Sequence, residues 1–213
     1  MIHEERRITL KRRHIDPFIS HFKESTLPAI QSHGGEALCT LSAAIGDPAE
    51  EIMQITAYPD IATWTDAQEA FDTSRLENIE AESVRLLKPI ASRPKPTIPD
   101  EDMRPFYGHR RFFISPDDMD EFVHCSEEGV WPRIEAQDAR ILGLWTTIAS
   151  TSPQEVVLLT GYHGPAHWEE TRVWSGRPEG FDPELWERGR ELRERRYDMT
   201  IKSWVRLMQR IEV

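Results

Sequence analysis

An arginine stands between apolar residues on one face of an alternating segment, Ile2, Glu4, Arg6, Ile8 and Leu10. The arrangement returns as Phe106, Gly108, Arg110, Phe112 and Ile114. A guanidinium among apolar neighbours needs a partner or a ligand, because an uncompensated buried charge is costly. Glu4 is a same-face neighbour that can neutralise Arg6, but its counterpart is Gly108. Arg110 is therefore a candidate for holding an anion such as a carboxylate. The alternative is an acid from elsewhere in the fold, or solvent. Tyr58, Tyr162 and His109 are the candidate acid–base groups. Arg6, Arg110, Glu4, Thr160, Trp145 and Trp168 are the candidate substrate-binding residues. Tyr58 and Tyr162 also read as strand-end clamps, each packing on a tryptophan six residues on, Trp64 or Trp168. By strand alternation His109 points away from Arg110, and a lone strand histidine is more often structural than catalytic.

Other chemistry is sparse. His163 and His167 have i, i+4 spacing, but Gly164-Pro165 separates them and no third ligand follows, so no metal site is expected. There is no nucleophile elbow, phosphate loop, dinucleotide fingerprint or paired-cysteine zinc pattern. No cofactor is expected. A haem would need a histidine directed into a cavity, and only His3 and His109 lie on central strands. Cys39 and Cys125 read as free thiols in a reducing cytoplasm.

These residues are positioned by a duplication. With a shift of 104 residues (Arg6 to Arg110), Arg7 meets Arg111, Asp16 meets Asp120, Phe18 meets Phe122, Pro28 meets Pro132, Tyr58 meets Tyr162 and Trp64 meets Trp168. A period near a hundred residues is a whole small domain, not a solenoid unit. Each copy reads strand, helix, strand, strand, helix, strand. The first has strands over 2–10, 37–45, 52–58 and 83–90, a helix over 16–32 bent near Pro28, and a long helix from Pro59 through Leu76. The second has strands over 107–114, 141–150, 156–162 and 203–211, with helices over 117–137 and from about Ala166.

The predicted organisation is a first repeat over 1–93, a Pro-rich linker over 94–105, and a second repeat over 106–213 with a helical insertion near 174–190. The order βαββαβ is the ferredoxin-like unit. Two such sheets cover each other's bare faces as an eight-stranded α/β barrel with helices outside, and its interior is the natural ligand pocket. On the third strands, Met53, Ile55 and Ala57 (second copy Val157, Leu159 and Gly161) are expected under the helices. Thr56, Tyr58, Thr160 and Tyr162 are then expected to line the cavity.

Composition narrows the partners. The net charge of −11 is shared by both halves, which argues against nucleic acid. The basic run from Arg188 to Arg196 is interleaved with Glu191 and Glu194 and reads as a solvated helix face. No apolar run reaches the roughly 20 residues of a membrane helix. The N-terminus is too charged for a signal peptide, so a cytoplasmic protein is expected. A second copy of the chain is a candidate partner.

The opening Ile2-His3-Glu4-Glu5-Arg6-Arg7-Ile8-Thr9-Leu10-Lys11, the step Tyr58-Pro59-Asp60 and the ending Leu86-Leu87-Lys88-Pro89 resemble NIPSNAP-family domains. The resemblance implies the dimeric α/β-barrel fold, formed here by a tandem pair, and does not imply one activity. Related barrels include cofactor-independent monooxygenases, haem-degrading enzymes, polyketide cyclases and non-catalytic proteins. The favoured expectation is a small-molecule-binding barrel, an oxygenase or isomerase acting on an apolar or aromatic substrate with an anionic group. The alternative is a non-catalytic interaction or structural protein that uses the Trp174–Trp186 insertion. The loss of Glu4's counterpart favours a site near the second copy.

Overall fold

A computed structural model describes residues 1–95, 98–149 and 152–213. Pro96 of the expected linker and Ser150 at the end of an expected strand lie outside the described residues. The strands are β1 Ile2–Leu10, β2 Glu36–Ile45, β3 Glu51–Tyr58, β4 Ile79–Pro89, β5 Phe106–Ile114, β6 Arg140–Thr147, β7 Gln154–Tyr162 and β8 Thr200–Ile211. They hydrogen-bond in the order β1-β3-β2-β8-β5-β7-β6-β4, a closed barrel. The α+β fold of two ferredoxin-like repeats is thus the one expected. The chain divides into two compact units, residues 1–88 with 208–213 and residues 89–207.

In the first unit β1 pairs antiparallel with β3, which sets Glu4 opposite Thr56 and Arg6 opposite Gln54. The first helical region is α1 Ile15–His21, a π-helical turn Phe22–Thr26 and α2 Leu27–Ser32. The bend expected at Pro28 takes the form of that π turn. A proline ring crowds the carbonyl four residues back and offers no N–H, and a widened turn relieves both problems. Gly34, with φ of 72°, ends α2, and its N–H donates to Gln31 O at 2.9 Å. The next helix is shorter than predicted. Asp60 caps α3 Ile61–Glu69 by accepting from Thr63 N at 2.9 Å. Asp72 then starts a separate 3₁₀ turn, Thr73–Asn78, by accepting from Ser74 N.

The second unit repeats this plan. Gly108 lies opposite Thr160 and Arg110 opposite Leu158 in the β5–β7 ladder. Its helices are α4 Met119–Cys125, a π turn Ser126–Val130 before Pro132, α5 Trp131–Glu135, α6 Pro165–Glu170 and the inserted α7 Pro183–Asp198. Asp182 caps α7, accepting from Glu184 N at 2.9 Å, and Pro183 stands where no N–H is needed. Close approach seats α7. A Cβ on Gly129 would lie 2.5 Å from Leu192 Cβ.

The predicted assignment of strand faces is reversed. Ile52 and Tyr58 join Phe18, Phe22 and Ile30 in the core under the helices. Val156, Leu158 and Tyr162 join Phe122, Val130 and Ile134 in the second unit. Met53, Ile55, Val157 and Leu159 are buried on the opposite face of the sheet. Every residue from Ile52 to Tyr58 is buried, so apolarity alone could not tell the two faces apart.

Candidate functional site

A cavity of ≈ 170 Å³ lies in the second unit between its sheet and its helices, not inside the barrel as predicted. The strands supply Arg110, Phe112, Leu158, Thr160 and Tyr162, with Ser203 and Val205 from β8. Val130, Arg133 and Ile134 come from the π turn and α5, while Trp168, Arg172 and Trp174 follow β7. Helix α7 adds Arg193, Arg196 and Tyr197. Among the described residues no carboxylate lines this cavity. Gly108 keeps it open, because a Cβ there would stand 3.2 Å from Tyr162 Cε2.

The arginines hold mostly neutral partners. Arg196 is 9% exposed, donates from Nη1 to Ser126 Oγ at 3.1 Å and lies over the rings of Phe112 and Phe122. Arg133 donates from Nη1 to Thr171 O at 3.1 Å and lies over Trp186. Arg172 donates from Nη2 to Tyr162 Oη at 2.9 Å and from Nε to Trp168 O. Arg110 lies over Phe112. Among the described residues none of these four is ion-paired, whereas Arg193, nearer the surface, pairs with Glu194. Burial, and then repulsion from Arg172 and Arg193, bring Arg110 and Arg133 down to about 10. Burial, and then repulsion led by Arg110, brings Arg196 down to about 9. All three remain cations at neutral pH, so the cavity concentrates positive charge in a protein of net charge −11.

The first unit shows the same place neutralised. Arg6 Nε and Nη2 donate to Glu4 Oε1 and Oε2 at 2.6 and 2.8 Å. Nη2 also donates to Gln68 Oε1, and Nη1 pairs with Glu82 at 2.7 Å. Burial opposes the Arg6 charge, but Glu4 and Glu82 outweigh it and hold the group above its usual value. The remaining void is only ≈ 10 Å³, with Phe22 and Phe71 in its lining. At the repeat offset Glu4 becomes Gly108, Gln68 becomes Arg172 and Phe22 becomes Ser126. At the later offset that matches Val84 to Val205, Glu82 becomes Ser203. Every group that neutralises Arg6 is lost or inverted around Arg110.

Of the residues singled out from sequence, Arg110, Thr160, Tyr162 and Trp168 come together at the larger cavity. Glu4 and Arg6 meet at the small one. Tyr58 is buried in the first core, where burial and then Glu4 push its phenol up. His109 and Trp145 are buried outside the cavity lining. Arg133, Arg172, Arg193 and Arg196 were not singled out. The predicted solvated face of 188–196 is corrected at Arg196, because Gly189 and Leu192 bury that side of α7. The 104-residue shift carries the signal for Arg172, since it sets Gln68 against that arginine.

His163 and His167 are committed elsewhere. His163 Nε2 lies 2.5 Å from Asp138 Oδ2, and His163 N–H donates to His167 Nδ1. His167 Nε2 in turn donates to Gln137 O at 2.6 Å. Among the described residues no group of three or more His, Cys, Asp or Glu side chains is placed to hold a metal ion. No helix among them is long and apolar enough to cross a membrane.

No family model and no curated protein matches the chain. Solved structures do. A candidate monooxygenase from Lactobacillus acidophilus is 11% identical, with a TM-score of 0.66 over 98% of this chain and 93% of its own. An anthrone oxidase-like protein is 9% identical, with a TM-score of 0.61 over 99% and 91%. A NIPSNAP-family protein of unknown function from Agrobacterium tumefaciens is 24% identical over 46% of this chain and 94% of its own, with a TM-score of 0.38. The full-length likenesses show the fold, an eight-stranded α/β barrel.

Proposed function

We propose that the second unit binds a small organic anion with an apolar or aromatic body. The observation that carries this reading is Arg110, half-buried in the cavity without a carboxylate partner among the described residues, beside the half-buried Arg172 and the buried Arg133 and Arg196, which also lack one. The aromatic walls, Phe112, Tyr162 and Trp168, suit a ring, and the guanidiniums suit its acid group. The chemistry we propose is cofactor-independent oxidation, or isomerisation through an enolate. Arg110 and Arg172 would stabilise the developing oxyanion, and Tyr162, held by Arg172, would move the proton. The full-length neighbours described as a monooxygenase and as anthrone oxidase-like support that choice by analogy of fold.

The test is calorimetric titration with aromatic carboxylates, followed by oxygen uptake with those that bind. Wild type should bind, and Arg110→Ala should bind at least about tenfold more weakly. Tyr162→Phe should keep binding and lose uptake. Affinity unchanged in Arg110→Ala, or no binding by any carboxylate, overturns the reading.

A further inference from the structure

We infer that the ligand carries two or more negative charges on a body no larger than one substituted aromatic ring, as in a benzene dicarboxylate or tricarboxylate. The inference rests on reading the cavity as an organic-anion site and narrows the charge and size of the ligand. Size comes first. The cavity is ≈ 170 Å³. A buried cavity of about 150 Å³ holds one benzene molecule, so this partly open cavity encloses about one ring and leaves the rest of a three-ring compound outside it.

Charge comes second. Arg110, Arg133, Arg172 and Arg196 reach the cavity from β5, α5, the turn after α6, and α7. Their hydrogen bonds go to a carbonyl, a hydroxyl or a phenol, which satisfy donors but neutralise nothing. Arg133 Nε is buried with no hydrogen-bond partner. One carboxylate accepts a fork from one guanidinium. A monoanion would therefore leave several cations of one small, partly enclosed cavity without a counter-charge. Because the guanidiniums enter from four elements, acid groups at separate positions of a rigid ring can each meet one.

The discriminating experiment is calorimetry at constant ionic strength with four probes: benzoate, isophthalate, benzene-1,3,5-tricarboxylate and anthracene-9-carboxylate. Isophthalate should bind about tenfold or more tighter than benzoate, and anthracene-9-carboxylate should bind no tighter than benzoate. Arg196→Met, shown to be folded by thermal unfolding, should shrink the gain from the second carboxylate. Benzoate binding as tightly as isophthalate, or a preference for the three-ring acid, overturns the inference and leaves the organic-anion reading intact. Binding by none of the four overturns both.

Discussion

Arg6 and Glu4, two residues apart on one strand, are joined by two parallel hydrogen bonds of 2.6 and 2.8 Å. The same carboxylate accepts from Trp64 Nε1 at 2.6 Å. One acid thus ties β1 to α3 and neutralises the first unit's version of the site. Gly108 removes that acid in the second unit. Gly108→Glu should restore the pair with Arg110. The Tyr162 ring must give by a few tenths of an ångström, since the new Cβ would meet it at 3.2 Å. The variant should be at least as stable as wild type, because a half-buried cation gains a partner. Its affinity for aromatic acids should fall by about a hundredfold or more, since Arg110 is then satisfied internally. Titration calorimetry and thermal unfolding check both halves of this exchange of function for stability.

Arg196 exemplifies the cost of burying a guanidinium with no ion partner. Its pKa is lowered to about 9 by burial and like charges, so the folded state disfavours its charged form at neutral pH. Replacing a buried ion pair by hydrophobes of similar volume is often neutral or stabilising by about 1–4 kcal/mol, and a guanidinium with no ion partner has less attraction to lose. Arg196→Met forfeits the Ser126 hydrogen bond and the contacts with Phe112 and Phe122, so about 1–2 kcal/mol is expected. The sign is fixed by linkage. A depressed arginine pKa penalises folding below about 9, and the penalty fades as pH rises through that value. The advantage of the variant should therefore be full at pH 7 and shrink above pH 9. Tm measured across that range checks it, and added isophthalate should reverse the ranking.

The architecture was legible in the sequence because duplication supplied a control for each assignment. Arg6 against Arg110 and Glu4 against Gly108 pointed to the second copy from side-chain type alone. The face of the sheet was not legible, because Ile52 to Tyr58 is buried on both sides. Arg133 and Arg196 were hidden for another reason. Their burial depends on α7, which exists in only one copy, and on Gly129 and Gly189, whose missing side chains let α7 approach. The alternation of charge along 188–196 describes the outer face of that helix and conceals the inner one.

His3 provides a test of the first unit. It is 1% exposed on β1, and burial, followed by the charge of the N-terminus, lowers its pKa from 6.5 to about 4. Between those values the unfolded chain takes up a proton that the folded one refuses. Stability from this group is therefore full above pH 6.5 and is lost as pH falls toward 4, by up to about 3 kcal/mol. His3→Leu should flatten this part of the stability–pH curve. Urea unfolding at pH 7, 5.5 and 4.5 reads it directly, and parallel curves for the two proteins would contradict the assignment.

Gly129 connects packing to the site. A Cβ there would sit 2.5 Å from Leu192 Cβ and 2.6 Å from Leu192 Cδ1, a distance that real Cβ contacts do not reach. Gly129→Ala must therefore push α7 outward, at a cost of about 1–3 kcal/mol by the usual overpacking range. Because α7 carries Arg193 and Arg196, the same displacement should weaken aromatic-acid binding by about tenfold, although Gly129 does not line the cavity. Adding Leu192→Ala frees the space the new methyl needs, so the double variant should recover affinity relative to Gly129→Ala. Gly164→Ala, where nothing lies within 4 Å, serves as the control and should change neither quantity. A Gly129→Ala protein that loses stability but binds normally would show that α7 positions the arginines only loosely. Recovery in the double variant would show that the helix-to-helix distance sets the reach of Arg196 into the cavity.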